Sequence, residues 1–362
     1  MVCYISVIFF SCIFEKVLYS NKLYGYFYTI NSLQIMTKET LRIVYMGTPE
    51  FAVEPLKALV GNGFQVVGVV TMPDKPSGRG MKLQASPVRQ YALEHHLPVL
   101  QPEKLKDPLF LEELRQLKAD LQIVVAFRML PEVVWSMPKM GTFNLHASLL
   151  PHYRGAAPIH WAVINGEQET GVTTFFLQQA IDTGDILLQE KLPIEPNECT
   201  GSVHDRLMIL GARLVVSTVE ALLDGSVKAR PQHLSAANQH DLKLAPKLFK
   251  DNTRIDWSRD GSSLYNFIRG LSPFPTAWSE LLPVKKSDGA EAIGVKIFEA
   301  DFEPAQHQLV PGSVVSDGKK TLKVSVGNGF ISLEKFQLAG RRLLTREEFL
   351  RGFQGISGYR FV

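Results

Sequence analysis

The chain of 362 residues predicts an α/β protein: a mostly parallel sheet covered by helices, followed by a small all-β barrel. Three observations lead there. The length exceeds the usual span of one hydrophobic core and favours two domains. Near-continuous Val/Ile runs alternate with helical patterns through the first half, as strands buried on both faces require. After about residue 250 the pattern changes to many short alternating runs, the signature of an antiparallel barrel.

The leader "MVCYISVIFFSCIF" is an apolar run with no Lys or Arg before it, too short to span a bilayer and without a signal-peptide cleavage site. Met36 precedes the polar "TKET", so residues 1–35 are expected to be a leader of doubtful function, with the working protein starting at Met36. "LRIVYMG" (41–47) reads as a strand, and the following segment as a helix capped by Thr48 and stopped at Gly61 or Gly63. "QVVGVVTM" (65–72) is a second strand. Helices follow near 86–96 and 107–118, then the strand "LQIVVAF" (121–127). The turn "MGTPEF" has one glycine where a dinucleotide-binding fingerprint needs three, so this Rossmann-like opening gives little support to NAD. An anion at the helix N-terminus is still allowed.

"GVTTFFLQ" (171–178) and "ILLQEKLPI" (186–194), joined by "IDTGD", form an expected hairpin, and a long helix runs from about Ser202 to Leu223. Residues 225–250 lack periodicity and read as a linker. The helix "SSLYNFIRGL" then precedes the short strands of the barrel. The expected organisation is therefore 1–35 leader, 36–224 α/β domain, 225–250 linker and 251–362 barrel domain.

Average composition excludes disordered and repeat architectures. Charge is uneven: residues 242–362 carry 18 Lys and Arg against 13 Asp and Glu, while 41–241 has a net −3. That excess suits a polyanion or a solvated surface equally well. Cys3, Cys12 and Cys199 supply neither a disulfide framework nor a metal-spaced pair, so no metal is expected and Cys199 reads as a cytosolic thiol.

Chemistry concentrates in "FNLHASLLPHYRGAAP". Asn144 and His146 stand two apart, so on an extended strand both project to one face. An imidazole can take a proton and a carboxamide can donate to an oxygen that becomes negative, which together suit attack of an amine on a carbonyl. Taken alone, an N-x-H pair more often satisfies buried backbone groups. Its place at the carboxyl end of a strand raises the functional reading. In "IDTGD", Asp182 or Asp185 would either hold His146 or cap a turn. The loop 71–88 has no expected regular structure and carries Lys75, Arg79 and Lys82, suited to phosphates or to solvent.

With "VYMGTPEFA", "PDKPSGRG", "FNLHASLLPHYRGAAPIHWAVINGEQETGVT" and "IDTGDIL" in this order, the chain resembles the methionyl-tRNA formyltransferases from Leu41 to its C-terminus. The resemblance implies a formyltransferase fold with an oligonucleotide-binding (OB-like) barrel, and transfer of formyl from 10-formyltetrahydrofolate to the α-amino group of initiator Met-tRNA. It implies a catalytic trio of Asn144, His146 and Asp182, and a folate pocket touching Ser148, Leu149, Leu150 and Pro151. The loop bearing Lys75, Arg79 and Lys82 would enter the acceptor end of the tRNA. A cytoplasmic monomer without membrane association is expected. One departure is "AFRMLP", which puts Phe127 and Arg128 where the family often has Tyr-Gly in the pterin pocket wall. Rival readings are a formyltransferase for glycinamide ribonucleotide or a sugar nucleotide, and a nucleic-acid-binding module without activity.

Overall fold

The computed structural model describes residues 36–77, 82–232, 241–284 and 291–362, with no side-chain description at Ser77 and Lys82; the leader 1–35 and Arg79 lie outside the described residues. The first sheet begins with β1 (Arg42–Gly47), whose five C-terminal residues are all buried. The turn after it is tight: a Cβ on Gly47 would stand 2.6 Å from that of Ala52. Thr48 is not the helix cap expected from the sequence. A 3₁₀ turn at Glu50–Ala52 intervenes, and Ala52 precedes α1 (Val53–Gly61) without a side-chain cap. The hydroxyl of Thr48 instead accepts from Thr71 at 3.5 Å.

β2 (Gln65–Val70) is followed by a departure from expectation. The segment read as an irregular loop contains a two-stranded ribbon, β3 (Lys75–Ser77) against β4 (Lys82–Gln84), with Lys75 opposite Gln84. Asp74 anchors its base by pairing with Arg89 at 2.6 Å and accepting from Gln101 at 3.0 Å. Next come α2 (Pro87–Glu94), β5 (Val99–Leu100), α3 (Pro108–Gln116), β6 (Leu121–Val125), α4 (Glu132–Trp135) and β7 (Thr142–His146). The α2 and α3 starts follow a shared rule: Ser86 and Asp107 cap the first turn and proline takes the first helical position, where no N–H is needed.

After β8 (Arg154–Gly155) and α5 (Pro158–Ile164), the antiparallel pair β9 (Glu169–Phe176) and β10 (Ile186–Pro193) completes a seven-stranded sheet of order β10-β9-β7-β6-β1-β2-β5. β1, β2, β5, β6 and β7 are parallel. Direction of progression reverses between β1 and β6, so the crevice of this Rossmann-like sheet opens at the carboxyl ends of β1, β6 and β7. The long α6 (Thr200–Leu223) packs on one face, with Leu145 wedged against Gly211.

β11 (Leu244–Ala245) pairs with β8 in a separate two-stranded sheet. α7 (Gly261–Gly270) then leads to β12 (Ala277–Pro283), β13 (Ile293–Pro304), β14 (Val314–Ser316), β15 (Leu322–Val326), β16 (Gly329–Leu338), β17 (Leu343–Thr345), α8 (Arg346–Gly352) and β18 (Tyr359–Phe361). Their sheet runs β14-β15-β16-β13-β12-β18, and its two edges meet where Phe361 N–H donates to Gly312 O at 2.8 Å. The result is a nearly closed barrel around Trp257, Phe267, Ile297, Val324 and Phe336. Thr200 Oγ1 donates to Gly270 O at 2.7 Å and Arg269 to Glu198 O at 2.7 Å, joining α7 to the start of α6 and the turn before it.

Candidate active site

β7 sets the geometry. Phe143 and Leu145 point into the core beneath α6, which turns Asn144 and His146 to the opposite face. Asn144 lies in register with Val124 and Phe175, and His146 with Thr173. Asn144 is half-buried, and its carboxamide makes no hydrogen bond among the described residues.

His146 is buried, its ring edge-on to Phe175. Its Nε2 lies 2.8 Å from the carbonyl oxygen of Tyr153, which can only accept, so Nε2 carries a hydrogen. In the neutral ring Nδ1 is then the bare nitrogen. It faces Asp182 Oδ2 at 4.0 Å, beyond direct hydrogen bonding but well within electrostatic reach. The side chain of Asp182 is 14% exposed, and the Gly155 N–H donates to its Oδ2 at 3.0 Å. Asp182 itself adopts φ 53°, a conformation that needs support from its surroundings.

The loop after β7 is held from below. Thr173 Oγ1 donates to Ser148 O at 2.6 Å, and Gln189 Nε2 donates to Leu150 O at 3.0 Å. The Ser148 hydroxyl is spent on His152 O at 2.8 Å. Leu150 is buried against Phe175 and Ile186, whereas Leu149 and Pro151 keep exposed surface. Of the four residues in the expected folate pocket, Ser148 and Leu150 thus build the loop, while Leu149 packs over Gly171 and Pro151 is half-buried.

Tyr153 sits at φ 62°, with its hydroxyl bonded to Glu167 and accepting from Asn165 at 3.2 Å. Burial, reinforced by Glu167, pushes its phenol well above the usual range. Burial alone would raise Glu167, but hydrogen bonds from Lys243 and Tyr153 outweigh it and hold the carboxyl below its usual value. The following turn is crowded: Gly155 has φ +126°, and a Cβ there would lie 2.4 Å from Ala245 O, which also accepts from Ala156 N–H at 2.8 Å. Arg154 is lowered by burial, with Asp182 pulling the other way.

Tyr153 and Arg154 also build the site, with no motif in the sequence to mark them. Tyr153 acts through a backbone carbonyl, which leaves no side-chain signal. Phe127 and Arg128 stand beyond the end of β6. The Arg128 guanidinium reaches Glu103 O at 2.7 Å and Pro102 O, tying the loop after β6 to that after β5. Lys75 is exposed on β3. Among the described residues no group of three or more His, Cys, Asp or Glu is placed to hold a metal ion, and no helix is long and apolar enough to cross a membrane.

Comparison with known proteins gives a consistent result. Residues 41–219 match the family model "Formyl transferase" and residues 247–354 match "Formyl transferase, C-terminal domain". The chain is 60% identical over 318 residues to a methionyl-tRNA formyltransferase of Bacteroides fragilis, covering 88% of this chain and 97% of that one. It is 59% identical over 325 residues to that of Bacteroides thetaiotaomicron, covering 90% and 99%. Among solved structures, an N-formyltransferase from Helicobacter canadensis in complex with folinic acid and dTDP-3-aminofucose aligns with TM-score 0.57 and 20% identity over 81% of this chain and 98% of that one. HypX from Aquifex aeolicus in complex with tetrahydrofolic acid aligns with TM-score 0.56 and 19% identity over 86% of this chain. The chain spans about half of HypX, 48% of its length. These two likenesses concern the fold.

Proposed function

The chain belongs to the formyl transferase family, and from that membership we infer that it makes N-formylmethionyl-tRNA, moving the formyl group of 10-formyltetrahydrofolate to the α-amino group of initiator Met-tRNA. The observation that carries the chemical reading is the fixed tautomer of His146. With Nε2–H committed to Tyr153 O, the free Nδ1 is the atom that accepts a proton, and it lies 4.0 Å from a carboxylate.

Asn144 donates its carboxamide N–H to the formyl oxygen as the α-amine attacks the formyl carbon and that oxygen becomes negative. His146 takes the proton of the attacking amine on Nδ1, and the resulting imidazolium faces Asp182, whose charge stabilises it. Collapse of the tetrahedral adduct breaks the bond to the folate nitrogen. His146 returns the proton to that departing nitrogen, which leaves tetrahydrofolate and the formylated amine. Leu149 and Pro151 supply the apolar floor for the folate, while Ser148 and Leu150 hold that floor in place. Lys75, Arg79 and Lys82 contact phosphates near the acceptor end, and the basic excess of the barrel domain holds the tRNA backbone. The enzyme works as a cytoplasmic monomer.

The test is a competition. Labelled formyl from 10-formyltetrahydrofolate is offered to charged initiator tRNA together with glycinamide ribonucleotide and a dTDP-amino sugar. Label on methionine alone supports the reading, and label on either small acceptor refutes it.

A further inference from the structure

We propose that Gln232, in the segment after α6, is a positioning residue that fixes Asp182 for catalysis by clamping the Asp182 loop to the Arg154 turn; this rests on the role given to Asp182 above. All four hydrogen-bonding capacities of its carboxamide are used. Nε2 donates to Asp182 O at 3.0 Å and to Gly184 O at 2.7 Å, and Oε1 accepts from Arg154 Nε at 3.2 Å and Nη2 at 2.6 Å. The partners leave no freedom in the amide orientation, because a guanidinium can only donate and a carbonyl can only accept.

The bonds close a circuit. Gln232 holds the Asp182 carbonyl and the Arg154 guanidinium, and the next residue, Gly155, donates its N–H to the Asp182 carboxylate at 3.0 Å. The carboxylate therefore has its distance from His146 set at both ends of its own residue. Asp182 needs such support, since its φ of 53° is one that a non-glycine residue keeps only when neighbours over-determine it. Gly184 lies equally tight, with a notional Cβ 1.6 Å from Phe176 O. Gln232 is itself anchored two residues away, where Arg230 and Ile186 exchange N–H···O bonds of 2.8 Å in both directions. A stretch without periodicity thus carries a side chain that acts on the catalytic loop without touching the reacting atoms.

The experiment compares Gln232→Ala, Asp182→Asn and the double variant with wild type in steady-state formyl transfer, with melting curves as a check on folding. Gln232→Ala should lower kcat by about tenfold, leave KM for both substrates within about twofold, and cost no more than a further twofold in kcat when added to Asp182→Asn. Gln232→Glu keeps the size and the Arg154 bonds but loses both donors when ionised. It should fall with Gln232→Ala, and it carries the test if the alanine variant does not fold. Wild-type kcat in the Gln232 variants beside an impaired Asp182→Asn overturns the clamp alone, as does full additivity in the double variant. Wild-type kcat in Asp182→Asn overturns the role of Asp182 and the clamp with it.

Discussion

His146 is oriented by the backbone of Tyr153, whose carbonyl oxygen accepts from Nε2 at 2.8 Å, and not by a side chain. The side chain of Tyr153 does separate work, bonding Glu167 and Asn165 in a buried position. Tyr153→Phe should therefore keep kcat within about threefold while losing about 1–2 kcal/mol of stability, the usual cost of stranding buried polar partners. Denaturant melts and steady-state rates on one preparation check this. A collapse in kcat with unchanged stability would show that the phenol itself takes part.

Gly155→Ala tests the turn beneath Asp182. At φ +126° an L side chain is strained, and its Cβ would meet Ala245 O at 2.4 Å. The loop must shift, and the N–H to Asp182 shifts with it. The expected outcome is a loss of about 1–3 kcal/mol in stability together with reduced kcat, read by thermal melts and formyl transfer.

His160 gives a pH dependence. Burial lowers its pKa from the usual 6.5, against the pull of the Phe274 carbonyl that it bonds at 3.0 Å, and nearby His204 adds to the lowering. As pH falls through about 6.5 the unfolded chain takes up a proton that the folded chain refuses, so stability declines there and levels off once the folded pKa is passed. His160→Gln cannot charge and should show a shallower loss of melting temperature between about pH 7 and 5. Parallel curves would show that His160 does not titrate between the folded and unfolded states.

The parallel sheet was legible because doubly buried strands must be Val/Ile-rich, as in "LQIVV" and "RIVYM". Asn144 and His146 were legible as a pair because period two puts them on one face. The tautomer was not, since it depends on the carbonyl of Tyr153 in a left-handed conformation that nothing in "PHYRG" announces. Gln232 was equally silent, its role arising from three loops brought together by tertiary structure. The pairing of β3 with β4 has no signal in the sequence, because Pro76, Gly78 and Gly80 interrupt any strand pattern. The start of α8 carries an S/T-x-x-E signature, Thr345 and Glu348, which the structure shows as a full capping box and which the alternating pattern around it obscured.

Lys75, Arg79 and Lys82 are the proposed phosphate contacts. Replacing all three by alanine should raise KM for tRNA and reduce the slope of log affinity against log salt by about two to three, with KM for the folate unchanged. An unaltered salt slope would return the loop to solvent.

In the proposed reaction Asn144 stabilises the oxyanion and His146 accepts the amine proton. Single-turnover formyl transfer to charged initiator tRNA by wild type, Asn144→Ala and His146→Ala, each with a native melting curve, addresses it directly. The expected losses are roughly 10²–10³-fold for Asn144→Ala and roughly 10²–10⁴-fold for His146→Ala. A wild-type single-turnover rate in either folded variant would contradict these roles.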